Sequence, residues 1–146
     1  MTYEIPLMRP YLPAGTLDKI DSVLKSGFLT EGAVTKTFEG SIKNYLGGGN
    51  VLAVTSATVG LEMALRVLGV EEGDEVIVPD FTYPATANVA LLLGAKVILV
   101  DVDPTTMLMN MVQLEEAITE KTKVVMPVSA FGNPLDYEQL NALKDK

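Results

Sequence analysis

Four short apolar runs punctuate this chain, at residues 51–55, 75–79, 96–100 and 123–128. Each is rich in valine, isoleucine or leucine. Each is closed by a polar turn, and apolar residues at helical spacing follow. The runs are continuous in apolar residues rather than alternating, so each reads as a strand covered on both faces. Strands of that kind alternating with helices predict a parallel α/β sheet with right-handed crossovers. No repeat, low-complexity segment or linker divides the pattern, which predicts a single domain.

The first run opens the most informative stretch. Residues 51–55 read as a buried strand, Ser56-Ala57-Thr58 as a tight turn, and Leu61, Ala64, Leu65 and Leu68 as the apolar face of a helix that starts at once. Such a turn presents free backbone N–H groups and two hydroxyls, Ser56 and Thr58, at a helix N-terminus, where the aligned peptide dipoles favour an anion. The same residues also suit an ordinary Ser/Thr cap on a βα turn.

The remaining chain falls into place around this unit. Residues 1–13 contain Pro6, Pro10 and Pro13 and read as an extended arm. Leu17, Ile20 and Leu24 predict a helix over 16–26, stopped by Gly27. Val34, Phe38, Ile42, Tyr45 and Leu46 predict a second, ended by Gly47-Gly48-Gly49. That glycine run precedes a strand, whereas a dinucleotide fingerprint needs its glycines after one, so that motif is rejected. A helix beginning at Pro84 is closed by Gly94, and Leu114, Ala117 and Ile118 mark a short one. A last helix is expected to start at Asn133 as cap and Pro134 as first residue, with Asp136 in its first turn and Lys144 and Lys146 at its end.

Composition removes several chemistries. The chain has 146 residues, no cysteine and no histidine. Disulfides, thiolate or imidazole metal ligands and histidine-based triads are therefore excluded, leaving Lys, Asp, Glu, Tyr, Ser and Thr or a borrowed cofactor. A net charge of −8 with no basic stripe argues against nucleic acid and anionic membranes as partners. The N-terminus has no signal-peptide character and no run is long enough to span a bilayer, so a cytoplasmic protein is expected.

Open parallel sheets bind ligands beyond the carboxyl ends of their strands. Four groups of residues would meet there: Ser56-Ala57-Thr58, Asp80-Phe81-Thr82-Tyr83, Asp101 with Asp103, and Ser129, Phe131 and Asn133. A phosphate-friendly turn, aromatics and polar groups on one rim suit a planar phosphorylated ligand. Taken singly, Phe81 and Tyr83 also read as packing aromatics, and Asp101 and Asp103 as turn residues bonded to local backbone. A metal site at the two aspartates is a weak reading, and none is assigned.

Five segments occur in an order and spacing that resemble a known family: Gly27-Phe-Leu-Thr-Glu-Gly32, Thr55-Ser-Ala-Thr-Val-Gly-Leu-Glu-Met-Ala-Leu65, Val78-Pro-Asp-Phe-Thr-Tyr-Pro-Ala-Thr-Ala-Asn88, Val100-Asp-Val-Asp-Pro104 and Pro127-Val-Ser-Ala-Phe-Gly-Asn-Pro134. Together they resemble the DegT/StrS family of sugar aminotransferases, which use pyridoxal 5′-phosphate (PLP) and have the type I aspartate aminotransferase fold. The resemblance implies a three-layer αβα large domain, of which residues 14–146 would be the N-terminal part. It implies an amino group moved from an amino acid such as glutamate to a keto sugar on a nucleotide, in a homodimer.

Carried onto this sequence, the resemblance puts Ser56, Ala57 and Thr58 at the cofactor phosphate and Tyr83 on the pyridine ring. It puts Thr30 and Gly32 at the substrate side. Ser129 stands where the family commonly has histidine. Family members are more than twice as long, and their Schiff-base lysine and the acid that meets the pyridine nitrogen lie downstream of the matched region. No lysine of this chain matches that position, so no catalytic residue is assigned. The expectation is a truncation, proteolytic product or split gene, inactive by itself. In the family's sheet order, 3-2-4-5-6-7-1, strand one would stand apart from the other three. Two alternatives remain: a non-catalytic domain that binds a phosphate ligand, and a structural fragment that needs a complementary chain.

Overall fold

The computed structural model describes residues 9–144 and divides the chain into two units, 1–53 and 54–146. The expected arm at residues 1–13 lies mostly outside the described residues, as does Lys146, and residues 9–13 have no regular structure.

The first unit carries two helices, α1 (Thr16–Ser26) and α2 (Ala33–Tyr45). Both match the expected spans. Gly27 ends α1 at φ 74°, a left-handed conformation that glycine adopts without steric cost. Neither helix contains a buried residue: Leu17, Ile20, Leu24, Val34 and Phe38 remain exposed along their apolar faces.

The second unit is a layered α/β structure. Its elements are α3 (Ala57–Val67), β1 (Glu75–Pro79), α4 (Ala85–Leu92), β2 (Lys96–Val100), α5 (Met111–Ala117), β3 (Thr122–Val125) and α6 (Tyr137–Lys144), with a 3-10 turn at Ala130–Gly132. The three strands are parallel in the order β2-β1-β3. This is the arrangement expected of the second to fourth apolar runs, and every residue of the central strand is buried.

Side chains of a strand alternate between faces, and β1 distributes them accordingly. Val76 and Val78 join Leu65 of α3 and Val89 and Ala90 of α4 in one core cluster. Ile77 joins Val100, Met109 and Leu114 of α5 in the other, against which Leu140 and Leu143 of α6 also pack. The sheet is thus sandwiched between α3 and α4 on one side and α5 and α6 on the other.

Two helices end in the same way, and the ends explain the abrupt turns into the sheet. After α3, Gly69 at φ 73° lets its own N–H meet Arg66 O and the Val70 N–H meet Leu65 O. After α4, Gly94 at φ 77° does the same with Leu91 O, while the Ala95 N–H reaches Ala90 O. Each satisfies carbonyls that a helix end leaves without partners.

Three expectations are corrected. Residues 51–55 form no strand. A strand draws its hydrogen bonds from a neighbour, and no described strand pairs with this run. The apolar run at 123–128 yields a strand only at Thr122–Val125. Met126 still donates to Ile77 O at 2.8 Å, but Pro127 has no N–H to extend the ladder. The last helix starts at Tyr137 rather than Pro134. Asp136, not Asn133, caps it, its Oδ1 accepting from the Gln139 N–H at 3.0 Å. Asn133 instead donates through Nδ2 to Thr106 O at 2.8 Å.

Candidate functional site

Helix α3 leads into β1 through a short connection, and α4 leaves β1 at its other end. Both helices pack on one face of the sheet and against each other. The start of α3 and the start of α4 therefore lie at the carboxyl rim, where a parallel sheet holds its ligands.

Ser56 caps α3 from an extended conformation, φ −158° and ψ 159°, with its Oγ accepting from the Val59 N–H at 3.3 Å. The ordinary capping role is thus real. It occupies one N–H and leaves others. The N–H groups of Ala57 and Thr58 and the Thr58 hydroxyl have no partner among the described residues, and Ser56, Ala57 and Thr58 are all exposed. A helix of eleven residues ends here with free donors and a positive dipole end.

Tyr83 sits in the turn between β1 and α4 and is 78% exposed. Its backbone is held: Tyr83 O accepts from the Thr86 N–H at 3.0 Å, and the Thr82 and Thr86 hydroxyls share a hydrogen bond of 3.0 Å. At the other side of the turn, the Asp80 N–H donates to Val100 O of β2 at 2.9 Å. The aromatic side chain is thus open to solvent on an anchored backbone.

Phe81 does not pair with Tyr83. Its ring meets Phe131, from the 3-10 turn after β3, with centroids 6.1 Å apart and planes at 40°. Asp101 and Asp103 behave as turn residues. Asp101 Oδ1 accepts from the Val102 N–H at 2.8 Å, and Asp103 Oδ1 accepts from the Thr105 hydroxyl and from the N–H groups of Thr105 and Thr106. Those bonds, the Thr105 hydroxyl foremost, hold the Asp103 carboxyl below its usual range. Ser129 is exposed at the start of the 3-10 turn.

Thr30 and Gly32 belong to the first unit. Thr30 is exposed in the loop before α2. Gly32 stands at the cap position of α2 in an extended conformation, and a Cβ there would touch Phe28 Cβ at 3.4 Å.

Sequence reasoning missed one polar cluster. Glu75, at the amino end of β1, is buried and accepts from Lys96 Nζ at 2.9 Å and from the Thr119 hydroxyl at 2.7 Å. Parallel register sets Glu75 opposite Lys96, so two charged residues each opening an apolar run were its signal. Hydrogen bonds from Thr119 and then Lys96 hold the Glu75 carboxyl below its ordinary value. The cluster ties strand ends together at the edge opposite the candidate site. Among the described residues no group of three or more acidic side chains could hold a metal ion, and no helix is long and apolar enough to cross a membrane.

The carboxyl rim thus carries a helix start with free donors and an exposed aromatic, and sequence comparison names the family of the chain. The model of the DegT/DnrJ/EryC1/StrS aminotransferase family matches residues 11–146, and the chain belongs to that family. Solved structures agree. Spr1654 from Streptococcus pneumoniae, provisionally named a sugar aminotransferase and known in a PLP form, is 40% identical with a TM-score of 0.90; the match covers 97% of this chain and 36% of that one. The sugar aminotransferase CalS13 from Micromonospora echinospora is 29% identical with a TM-score of 0.89, over 97% of this chain and 39% of that one. NtdA from Bacillus subtilis, solved with bound PMP, is 34% identical with a TM-score of 0.83, over 88% and 30%. The matches thus cover only 30–39% of the length of these relatives.

Proposed function

We propose that this chain is the cofactor-holding N-terminal part of a PLP-dependent aminotransferase that acts on a nucleotide-linked keto sugar, with an amino acid such as glutamate as donor. The observation that carries the reading is the start of α3: two unpartnered N–H groups and a free hydroxyl on one exposed turn, at the same rim as the Tyr83 ring. A phosphate dianion fits those donors, because the Ala57 and Thr58 N–H groups and the Thr58 Oγ1 would each meet one of its oxygens. Ser56 fixes the turn by its own cap, so the donors are arranged before any ligand arrives. Tyr83 would then cover one face of the pyridine ring and limit its tilt.

PLP, when bound, supplies the electron sink for amino-group transfer. The residues described here bind and orient it. No residue of this chain is assigned to hold or move the proton of the transfer. The chain by itself is therefore expected to bind PLP without turnover. The sugar's nucleotide linkage, the glutamate donor, the homodimer and a cytoplasmic location are part of the same proposal; the family and the sugar aminotransferases among its solved relatives support its amino-transfer core.

The test is a PLP titration of the purified chain followed by absorbance, with Thr58→Ala as control, then borohydride reduction and intact mass. Saturable binding that Thr58→Ala weakens, without an adduct on one particular lysine, is the expected result. Equal binding by both proteins would remove the phosphate site. A single-lysine adduct lost in the control would place the chemistry within this chain.

A further inference from the structure

Phe131 is an anomaly of the carboxyl rim. Its backbone is left-handed, φ 54° and ψ 18°, a region that bulky side chains avoid and glycine enters freely. Its neighbour Gly132 already takes φ 81°, so the turn has a residue suited to that conformation beside it. Burial does not compensate, for Phe131 is 80% exposed. Its ring contact is Phe81, at a centroid distance and tilt within the favourable range for aromatic pairs. A strained backbone and an exposed side chain therefore coincide with a specific aromatic contact, and strain kept with so little burial points to function.

Phe81 lies two residues before Tyr83. The turn between them is anchored by backbone at both sides, through Asp80 to β2 and through Tyr83 to Thr86. Phe81 is the turn residue whose ring reaches the connection after β3, on the opposite neighbour of β1. We propose that Phe131 is a positioning residue, which through its ring contact with Phe81 sets the turn that presents the Tyr83 ring at the carboxyl rim. The inference rests on the reading of Tyr83 as the ring-covering residue and extends it to two aromatics that touch no ligand themselves.

Two substitutions separate the ring from the backbone. Phe131→Gly removes the ring and relieves the left-handed strain; Phe131→Tyr keeps the ring. Both are compared with the parent chain and with Thr58→Ala, with thermal unfolding, the NMR signals of the Tyr83 ring and PLP titration as readouts. Phe131→Gly is expected to leave the unfolding midpoint unchanged or raised, to shift the Tyr83 ring signals, and to weaken PLP binding about fivefold, the scale of one aromatic pair. Phe131→Tyr should restore both. Thr58→Ala should weaken PLP binding without moving the Tyr83 signals. Unmoved Tyr83 signals in Phe131→Gly would overturn the positioning role whatever happens to PLP. Shifted signals in a chain that binds no PLP would uphold the positioning of Tyr83 and overturn the cofactor reading alone.

Discussion

At the amino end of the sheet, Glu75 is buried and bonded by Lys96 and Thr119. At the carboxyl end, Thr58 stands exposed with its hydroxyl and N–H unpartnered among the described residues, and Tyr83 lies open to solvent. The two ends of one sheet thus use similar side-chain chemistry in opposite ways. Polar groups that satisfy each other contribute to folding, whereas groups left free at a rim contribute little to it and are available to a ligand. The contrast also separates residues that matter for stability from those that matter for binding, and mutations can test that separation.

The largest effect belongs to neither end. Ile77 sits fully buried at the middle of β1. Ile77→Ala should cost about 2–5 kcal/mol in urea unfolding and impair both ends together. Next comes the amino end. The Glu75 carboxyl titrates below its ordinary value when folded, so its contribution is fully present above the unfolded glutamate pKa of about 4.3 and is lost as pH falls through the lower folded value. Glu75→Gln should therefore destabilise the chain at neutral pH and flatten its stability-versus-pH curve in that acid window. An unchanged acid limb would show that the cluster does not couple to folding.

A smaller effect is expected at a rim residue that is satisfied. Asn110 Oδ1 caps α5, accepting from the Val112 and Gln113 N–H groups at 3.0 and 3.2 Å. Asn110→Ala should cost about 1 kcal/mol, the usual worth of such a cap, read as a shift in the urea midpoint. The smallest stability change is expected from Thr58→Ala, within about 0.5 kcal/mol, because the hydroxyl bonds nothing among the described residues. A clear stability loss there would collapse the distinction between the two ends.

Much of this was legible in the residues. Glu75-Val-Ile-Val-Pro79 and Lys96-Val-Ile-Leu-Val100 are continuous apolar runs bounded by turns, and both became strands at those limits. Helices α1 and α2 followed from apolar spacing and glycine stops, which are local signals. Ser56 was readable as a cap for the same reason. Where local signals competed, the sequence was ambiguous. Asn133-Pro134 and Asp136 are both sound helix starts, and the long-range bond from Asn133 to Thr106 decided between them.

Residues 51–55 and 75–79 show the boundary between the two kinds of knowledge. Both are short, apolar and β-branched, yet only the second is a strand. Strand propensity is local, but strand hydrogen bonds come from a neighbour distant in sequence, so tertiary structure alone chose between them. The contact of Phe81 with Phe131 and the burial of Glu75 beneath Lys96 and Thr119 arose in the same way, from register and crossing loops. The sequence by itself determined the layered α/β class, the spans of α1 and α2 and the donor-rich turn at Ser56-Ala57-Thr58, because periodicity and capping act within a few residues. Which runs became strands, which aromatics touched and which carboxylate was buried depended on residues brought together from afar.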